Sequence, residues 1–191
     1  MIVMKFGGTS VESAEAIERV ASIVLSRKRQ APVVVVSAMA KVTDQLVAMG
    51  HKAAAGECDL AMDLLSHLRE RHFHTARVLL GEKRAATLAP KLQTHFADLE
   101  NFVRGLAAVR ELTPRGSDYL LSFGELLSSL IVADAFIVRG LAAGWVDSRE
   151  CLVTDAAHTR ALPKLEATRQ KSQKKIVPLL NKKRIPVMGG F

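Results

Sequence analysis

The sequence predicts an α/β protein built on a mainly parallel sheet. Two short β-branched or apolar runs, residues 2–6 and 32–36, flank an amphipathic helical stretch, and the same strand-and-helix pattern returns before the end of the 191-residue chain. A strand, a helix and a second strand joined at this spacing demand a parallel pair with a right-handed crossover.

Each element follows from its residues. Ile2-Val3-Met4-Lys5-Phe6 is a strand that stops at Gly7-Gly8-Thr9-Ser10. A helix begins near Ser13, with Ile17, Val20, Ala21 and Val24 at helical spacing and Glu12 and Glu15 at the end where the helix dipole favours negative charge. Pro32-Val33-Val34-Val35-Val36 reads as a strand buried on both faces, and Ser37-Ala38-Met39-Ala40 turns it into a helix starting near Thr43 or Asp44. Residues 59–109 read as successive helices punctuated by Gly81 and Pro90, with Leu60, Leu64, Leu65 and Leu68 on one face and Leu92, Phe96, Leu99, Phe102, Val103 and Leu106 on another. Such an excursion forms a lid or flank over a sheet. The sheet pattern then resumes: helix over 124–138, strands over 144–147 and 151–154, helix over 162–180, strand over 185–188.

Composition narrows the class. With 49% hydrophobic and 24% charged residues the chain is globular, and at this length one domain can bury on the order of 70% of its unfolded surface without a disulfide or metal. Cys58 and Cys151 lack metal-ligand spacing and read as reduced thiols. No unbroken apolar run approaches the roughly 18 residues that span a membrane, and Lys5, Gly7 and Gly8 interrupt any signal-peptide core, so the expected location is the cytoplasm, with no membrane partner. The net charge of +8 suggests an anionic partner, yet residues 164–184 alone carry +7 and the rest of the chain +1. A basic helical segment without interleaved aromatic residues is a solvated face, so no nucleic-acid partner is expected. His67, His72 and His74 lack the acid or cysteine that would complete a metal site.

Ligands of an open parallel sheet gather at the carboxyl ends of its strands. Three segments meet that description: residues 5–10, residues 37–44 and the Gly189-Gly190-Phe191 end. In the first, a lysine at a strand end is followed by two glycines, which lets backbone amides approach a phosphate and sets an ammonium where phosphoryl charge develops. Neither the Walker spacing nor G-x-G-x-x-G is present, and Gly-Gly after a strand is equally a tight turn.

Met4-Lys5-Phe6-Gly7-Gly8-Thr9-Ser10-Val11 resembles the K-F-G-G-T-S signature of aspartate kinases, members of the amino-acid kinase superfamily. Further stretches agree in order: residues 34–39 with Thr43, Leu112-Thr113-Pro114-Arg115, Ser122-Phe123-Gly124-Glu125, Asp147-Ser148-Arg149, and Ile185-Pro186-Val187 leading to Gly190-Phe191. The resemblance implies a three-layer α/β sandwich, the amino-acid kinase fold, here truncated and with a helical insertion around residues 59–109.

It also implies transfer of the ATP γ-phosphoryl group to the side-chain carboxylate of L-aspartate, the first step towards lysine, threonine and methionine. ATP would enter with Mg2+ carried mainly on its phosphates. Lys5 would stabilise the transferring group, Gly7, Gly8, Thr9 and Ser10 would hold phosphate, and Ser37, Thr43 and Glu125 would bind aspartate. Glu125 is expected to open a helix, whose N-terminus favours its charge.

Some residues depart from the family pattern. Lys41 stands where glycine is frequent, and Gly189 where threonine or glutamine is common. Residues 115–119 resemble the family's later G-R-G-G-S-D segment but fall too early, and read as loop and helix cap. The resemblance makes residues 1–191 the N-terminal, aspartate-binding portion of the kinase domain, without the nucleotide-binding half or the ACT domains, and so inefficient by itself. The whole protein is expected to be a homo-oligomer. Two alternatives are a fragment of a bifunctional aspartate kinase–homoserine dehydrogenase and a non-catalytic binding module.

Overall fold

A computed structural model describes residues 1–190; Phe191, at the end of the last matched stretch, lies outside the described residues. Four strands, β1 (Ile2–Phe6), β2 (Pro32–Val36), β3 (Ala143–Val146) and β4 (Ile185–Gly189), form one sheet in the order β1-β2-β4-β3. Every pairing is parallel, as the crossover argument requires. Five helices surround it: α1 (Ala14–Ser26), α2 (Val42–Ala54), α3 (Cys58–Val109), α4 (Pro114–Val138) and α5 (Leu165–Asn181).

The sheet's alternation sets the layers. Val34, Val36, Ile185 and Val187 join the main core, where α4 lies across β2, β4 and β3 with α1 and α2 beside it. Val33, Val146 and Met188 point the other way and meet Ile176, Leu179 and Leu180 of α5. The result is the expected three-layer sandwich. On the α5 side β1 is left open, and its Val3 is 66% exposed.

The α1 expectation is met in detail: Ser13 caps it, its hydroxyl accepting from the Ala16 N–H at 3.2 Å, and Ile17, Val20, Ala21 and Val24 are all buried. The 59–109 segment is α3, an antiparallel hairpin folded at Gly81, the one residue in it with non-helical backbone (φ 70°). Arg69 pairs with Glu100 at 2.9 Å, and His72 and Phe73 both stack near Phe96, which fixes the two arms side by side. Instead of a lid on the sheet, α3 packs on α2 and α4. Leu60 is half exposed rather than on the buried stripe. Pro90 breaks nothing: it sits on the exposed side, where water can satisfy the one carbonyl its ring leaves unbonded.

Three boundaries differ from the sequence reading. First, α4 starts ten residues before Gly124. Thr113 caps it, accepting from the Gly116 N–H at 3.0 Å, and Pro114 takes the first helical position, where its missing N–H costs nothing. Residues 115–119 are therefore its opening turns. Asp118 from those turns accepts the Thr159 N–H at 3.0 Å and anchors the loop before α5.

Second, residues 151–154 are not a strand. A short 3-10 turn (Ser148–Glu150) leads into buried Cys151, and the Thr168 hydroxyl both accepts from the Val153 N–H at 3.0 Å and donates to its carbonyl at 3.2 Å, replacing a strand neighbour. Third, α5 begins at Leu165, and none of its residues is buried, so its lysines face solvent.

Although the sequence holds no long unbroken apolar run, α4 is long and apolar enough on average to cross a membrane. Its position explains the composition, since a helix covered by a sheet on one side and by three helices on the other needs apolar residues all round.

Candidate active site

The site is built where β1, β2 and β4 end together. Parallel pairing puts Lys5 beside Val35 and Val36 beside Gly189, so the three following loops leave the sheet at one edge. Two backbone bonds hold them there: the Ser37 N–H donates to the Phe6 carbonyl and the Gly190 N–H to the Val36 carbonyl, each at 3.0 Å.

After β1 the chain makes a 3-10 turn (Gly8–Val11), closed by the Ser10 N–H donating to the Gly7 carbonyl at 2.9 Å. Gly8 is required by proximity: a Cβ there would lie 2.9 Å from the Ala38 carbonyl oxygen. That contact presses the first loop against the second. Arg71, from α3, ties them further by donating to the carbonyls of Ala40 (2.8 Å) and Glu12 (3.2 Å). Sequence reasoning missed Arg71, because nothing in a helical charge pattern marks one arginine as a bridge between distant loops.

The second loop enters α2 through Lys41, held at φ 66° and ψ −1°. This is a left-handed turn that glycine takes without strain, so the position suits the glycine frequent in the family pattern. Thr43 lies exposed in the first turn of α2, and the Ser37 carbonyl accepts the Ser128 hydroxyl of α4 at 2.8 Å.

Glu125 completes the arrangement from a place the sequence reading did not expect. It lies in the fourth turn of α4 rather than at its start, so the helix N-terminus is too distant to favour its charge. Its partner is instead the Ala38 N–H, which donates to Oε1 at 3.2 Å. The residue is only 7% exposed, and Oε2 has no partner among the described residues. Burial pushes its carboxyl above the usual range, while the Ala38 N–H and the Lys5 ammonium pull it back. Small neighbours make the room: a Cβ on Gly189 would meet the Glu125 Cβ at 2.7 Å, and one on Gly124 would meet Ala38 at 2.8 Å. This accounts for glycine at 189, where a larger residue was expected. Lys5 itself is exposed, with its Cε 3.7 Å from where a Gly190 Cβ would stand.

A cleft of about 120 Å³ opens beside Glu125, lined also by Ser122, Asp147 and Arg149. Arg149 is held by a bidentate pair with Asp147, Nε to Oδ1 at 3.0 Å and Nη2 to Oδ2 at 2.7 Å. Both residues lie in a stretch that matched the family without a role, and the end of β3 is what carries them to the cleft. Lys5, Gly7, Gly8, Thr9, Ser10, Ser37, Thr43 and Glu125 thus converge on one sheet edge. Among the described residues no three His, Cys, Asp or Glu side chains come together in a form that would hold a metal.

Known proteins share this architecture. Aspartokinase III of E. coli, solved in complex with aspartate and ADP, superposes on the whole chain with a TM-score of 0.88 at 29% identity, the match covering 40% of that protein. Aspartate kinase of Clostridium acetobutylicum superposes at a TM-score of 0.72 with 18% identity over 39% of its length, a likeness of fold alone. Among curated proteins, aspartokinase 3, chloroplastic, of Arabidopsis thaliana is 39% identical over 99% of the chain and 33% of its own length. Bifunctional aspartokinase/homoserine dehydrogenase 1, chloroplastic, of Zea mays is 33% identical over 80% of the chain and 16% of its own length. The chain spans about a third of the length of the aspartokinases it matches over nearly its full extent. A model of the amino acid kinase family matches residues 1–191 throughout, and the chain belongs to that family.

Proposed function

We propose that this chain is the aspartate-holding part of an aspartate kinase, which moves the ATP γ-phosphoryl group onto the side-chain carboxylate of L-aspartate to give 4-phospho-L-aspartate and ADP. The observation that carries the reading is the Glu125 carboxylate, buried, fixed at one oxygen and unpartnered at the other, at the edge where the Lys5 loop ends. The names of the relatives, and the aspartate and ADP bound to the E. coli structure, support it.

Oε2 of Glu125 accepts a hydrogen bond from the aspartate ammonium, which supplies the partner this oxygen lacks. Ser37 and Thr43 flank the substrate from the second loop. The amides of Gly7 and Gly8, with Thr9 and Ser10, hold phosphate oxygens, and Lys5 neutralises charge as the carboxylate oxygen bonds to the γ-phosphorus and the bond to the ADP oxygen breaks. Positioning and charge neutralisation are the protein's share of such a transfer. Mg2+ arrives as part of the nucleotide substrate, coordinated by its phosphates.

The bifunctional reading is supported by matches to bifunctional aspartokinase/homoserine dehydrogenases such as that of Zea mays, and it assigns these residues the same roles. We further propose a homo-oligomeric whole protein, a place in the synthesis of lysine, threonine and methionine, and a cytoplasmic location, the last supported by two free cysteines. Cell fractionation that finds it in an organelle overturns the last.

Calorimetric titration of the chain with L-aspartate tests the central claim. Saturable binding is expected, weakened about tenfold or more by Glu125→Gln, since a hydrogen bond to a charged group is worth about 1.5–3 kcal/mol. Binding that is absent, or indifferent to this substitution, overturns the assignment.

A further inference from the structure

The opposite edge of the sheet carries a second cavity, of about 510 Å³, at the start of β2 and β4. Its walls are apolar, from Ala31, Pro32, Leu180 and Ile185, and its rim is cationic, from Lys28, Arg29, Lys183 and Arg184, with no acidic residue among those that line it. Because β2 and β4 are paired neighbours, the turn that enters one lies beside the turn that enters the other, and each turn contributes two cations. No carboxylate pairs with Lys28, Arg29, Lys183 or Arg184 among the described residues. Arg184 is fixed, its guanidinium donating to the Ala143 carbonyl. Two of the lining residues, Ala31 (φ 47°) and Lys183 (φ 54°), hold left-handed backbone without being glycine.

Cations after a helix end are favoured by its dipole in any protein, and α1 and α5 both end here. That term accounts for solvated lysines. It does not account for four cations from two separate turns gathered round one apolar hollow of a size suited to a small molecule.

We propose that this cavity binds a small organic anion bearing two or more negative charges, a phosphoester or a polycarboxylate, at a site separate from the Lys5 edge. The apolar walls would take the body of the ligand. Arginine and lysine on the rim would take its anionic groups, arginine by paired hydrogen bonds.

The test is calorimetric titration of the full chain at 150 mM salt with pyrophosphate and, separately, with citrate, the two arms distinguishing phosphate from carboxylate chemistry. Saturable binding of at least one probe is expected. Replacing Lys28 and Lys183 together by Ala should weaken it at least tenfold, while the charge-matched pair Lys171→Ala and Lys174→Ala on α5 changes it less than twofold. Amide NMR shifts on adding the probe should centre on Ala31, Lys183 and Ile185. The proposal is overturned if neither probe binds, if the two double variants weaken binding equally, or if the shifts centre on Gly7 and Gly8 instead.

Discussion

Glu125 and His72 are the two buried side chains that decide how this molecule is read, and they look alike until their surroundings are compared. Each is ionisable, each lies on a long helix, and each has one polar atom with no partner among the described residues, Oε2 of Glu125 and Nε2 of His72. His72 is wholly enclosed by the α3 hairpin, edge-on to Phe96 with ring centres 5.7 Å apart, and its Nδ1 meets the Leu68 carbonyl at 2.8 Å. A carbonyl only accepts, so Nδ1 carries the proton and Nε2 is a bare lone pair among apolar atoms. Glu125 sits instead among glycines and Ala38, next to a cleft, with an N–H and an ammonium that favour its charge. An unpartnered buried atom is therefore not in itself a sign of a site. What separates the two is whether the surroundings oppose the charge or partly prepare for it.

The strongest way to break this comparison is to titrate His72. Burial drives its imidazole down from 6.5 to about 4, so the folded chain resists a proton that the unfolded chain accepts. Stability from the neutral ring is fully present above pH 6.5 and is lost as pH falls through 6.5 towards 4. The full loss is on the order of 3 kcal/mol, at 1.36 kcal/mol for each pH unit of displacement. Thermal melts of the wild type and His72→Gln between pH 7.5 and 4 check it: the wild type should lose stability more steeply. Parallel curves would place His72 outside the protected core.

Much of this was legible from sequence, and what was not has a physical cause. The strands β1, β2 and β4 and the helix α1 announce themselves because their apolar period is local and their caps adjoin it. The early start of α4 was signalled by Thr113-Pro114, a cap followed by a first-turn proline, but residues 115–119 are polar and hid the continuation. The structure brings the residues named from the sequence to one sheet edge, whereas the surroundings of Glu125 differ from those expected. Its partner, the Ala38 N–H, lies 87 residues away, and no periodicity reports a bond between a helix interior and a distant loop. His72 carried no signal of its depth either, since a histidine among charged neighbours in a helix reads as surface.

Glu125→Gln tests the other side of the comparison with a smaller effect. Because the net influence of its surroundings is to raise the carboxyl above its ordinary value, ionised Glu125 destabilises the empty fold, increasingly as pH rises from the unfolded value through the folded one. The neutral amide keeps an acceptor for the Ala38 N–H and removes the charge. At pH 7 it should raise stability, read as a higher Tm that converges with the wild type as pH falls below the carboxylate range, while the same substitution weakens aspartate binding. A variant that loses both stability and binding would show that Glu125 is a core residue like His72, held for packing and not for a ligand.

The smallest expected effect separates strain in the loops from strain in the core. Lys41 adopts φ 66° at the entrance to α2, where its carbonyl accepts the Gln45 N–H at 3.1 Å and starts the helix, so the conformation is fixed by the helix that follows it. A side chain in that region costs about 1–2 kcal/mol, and glycine escapes this cost but gives back part of it through its freer unfolded chain. Lys41→Gly should therefore stabilise by about 0.5 kcal/mol, measured by urea unfolding with the slope unchanged. The side chain is exposed, so no packing is lost in the exchange. A destabilised variant would mean that the Lys41 side chain, and not its backbone, holds the second loop against the first. The Gly8–Ala38 contact and the Arg71 bridge would then be insufficient to define the site edge.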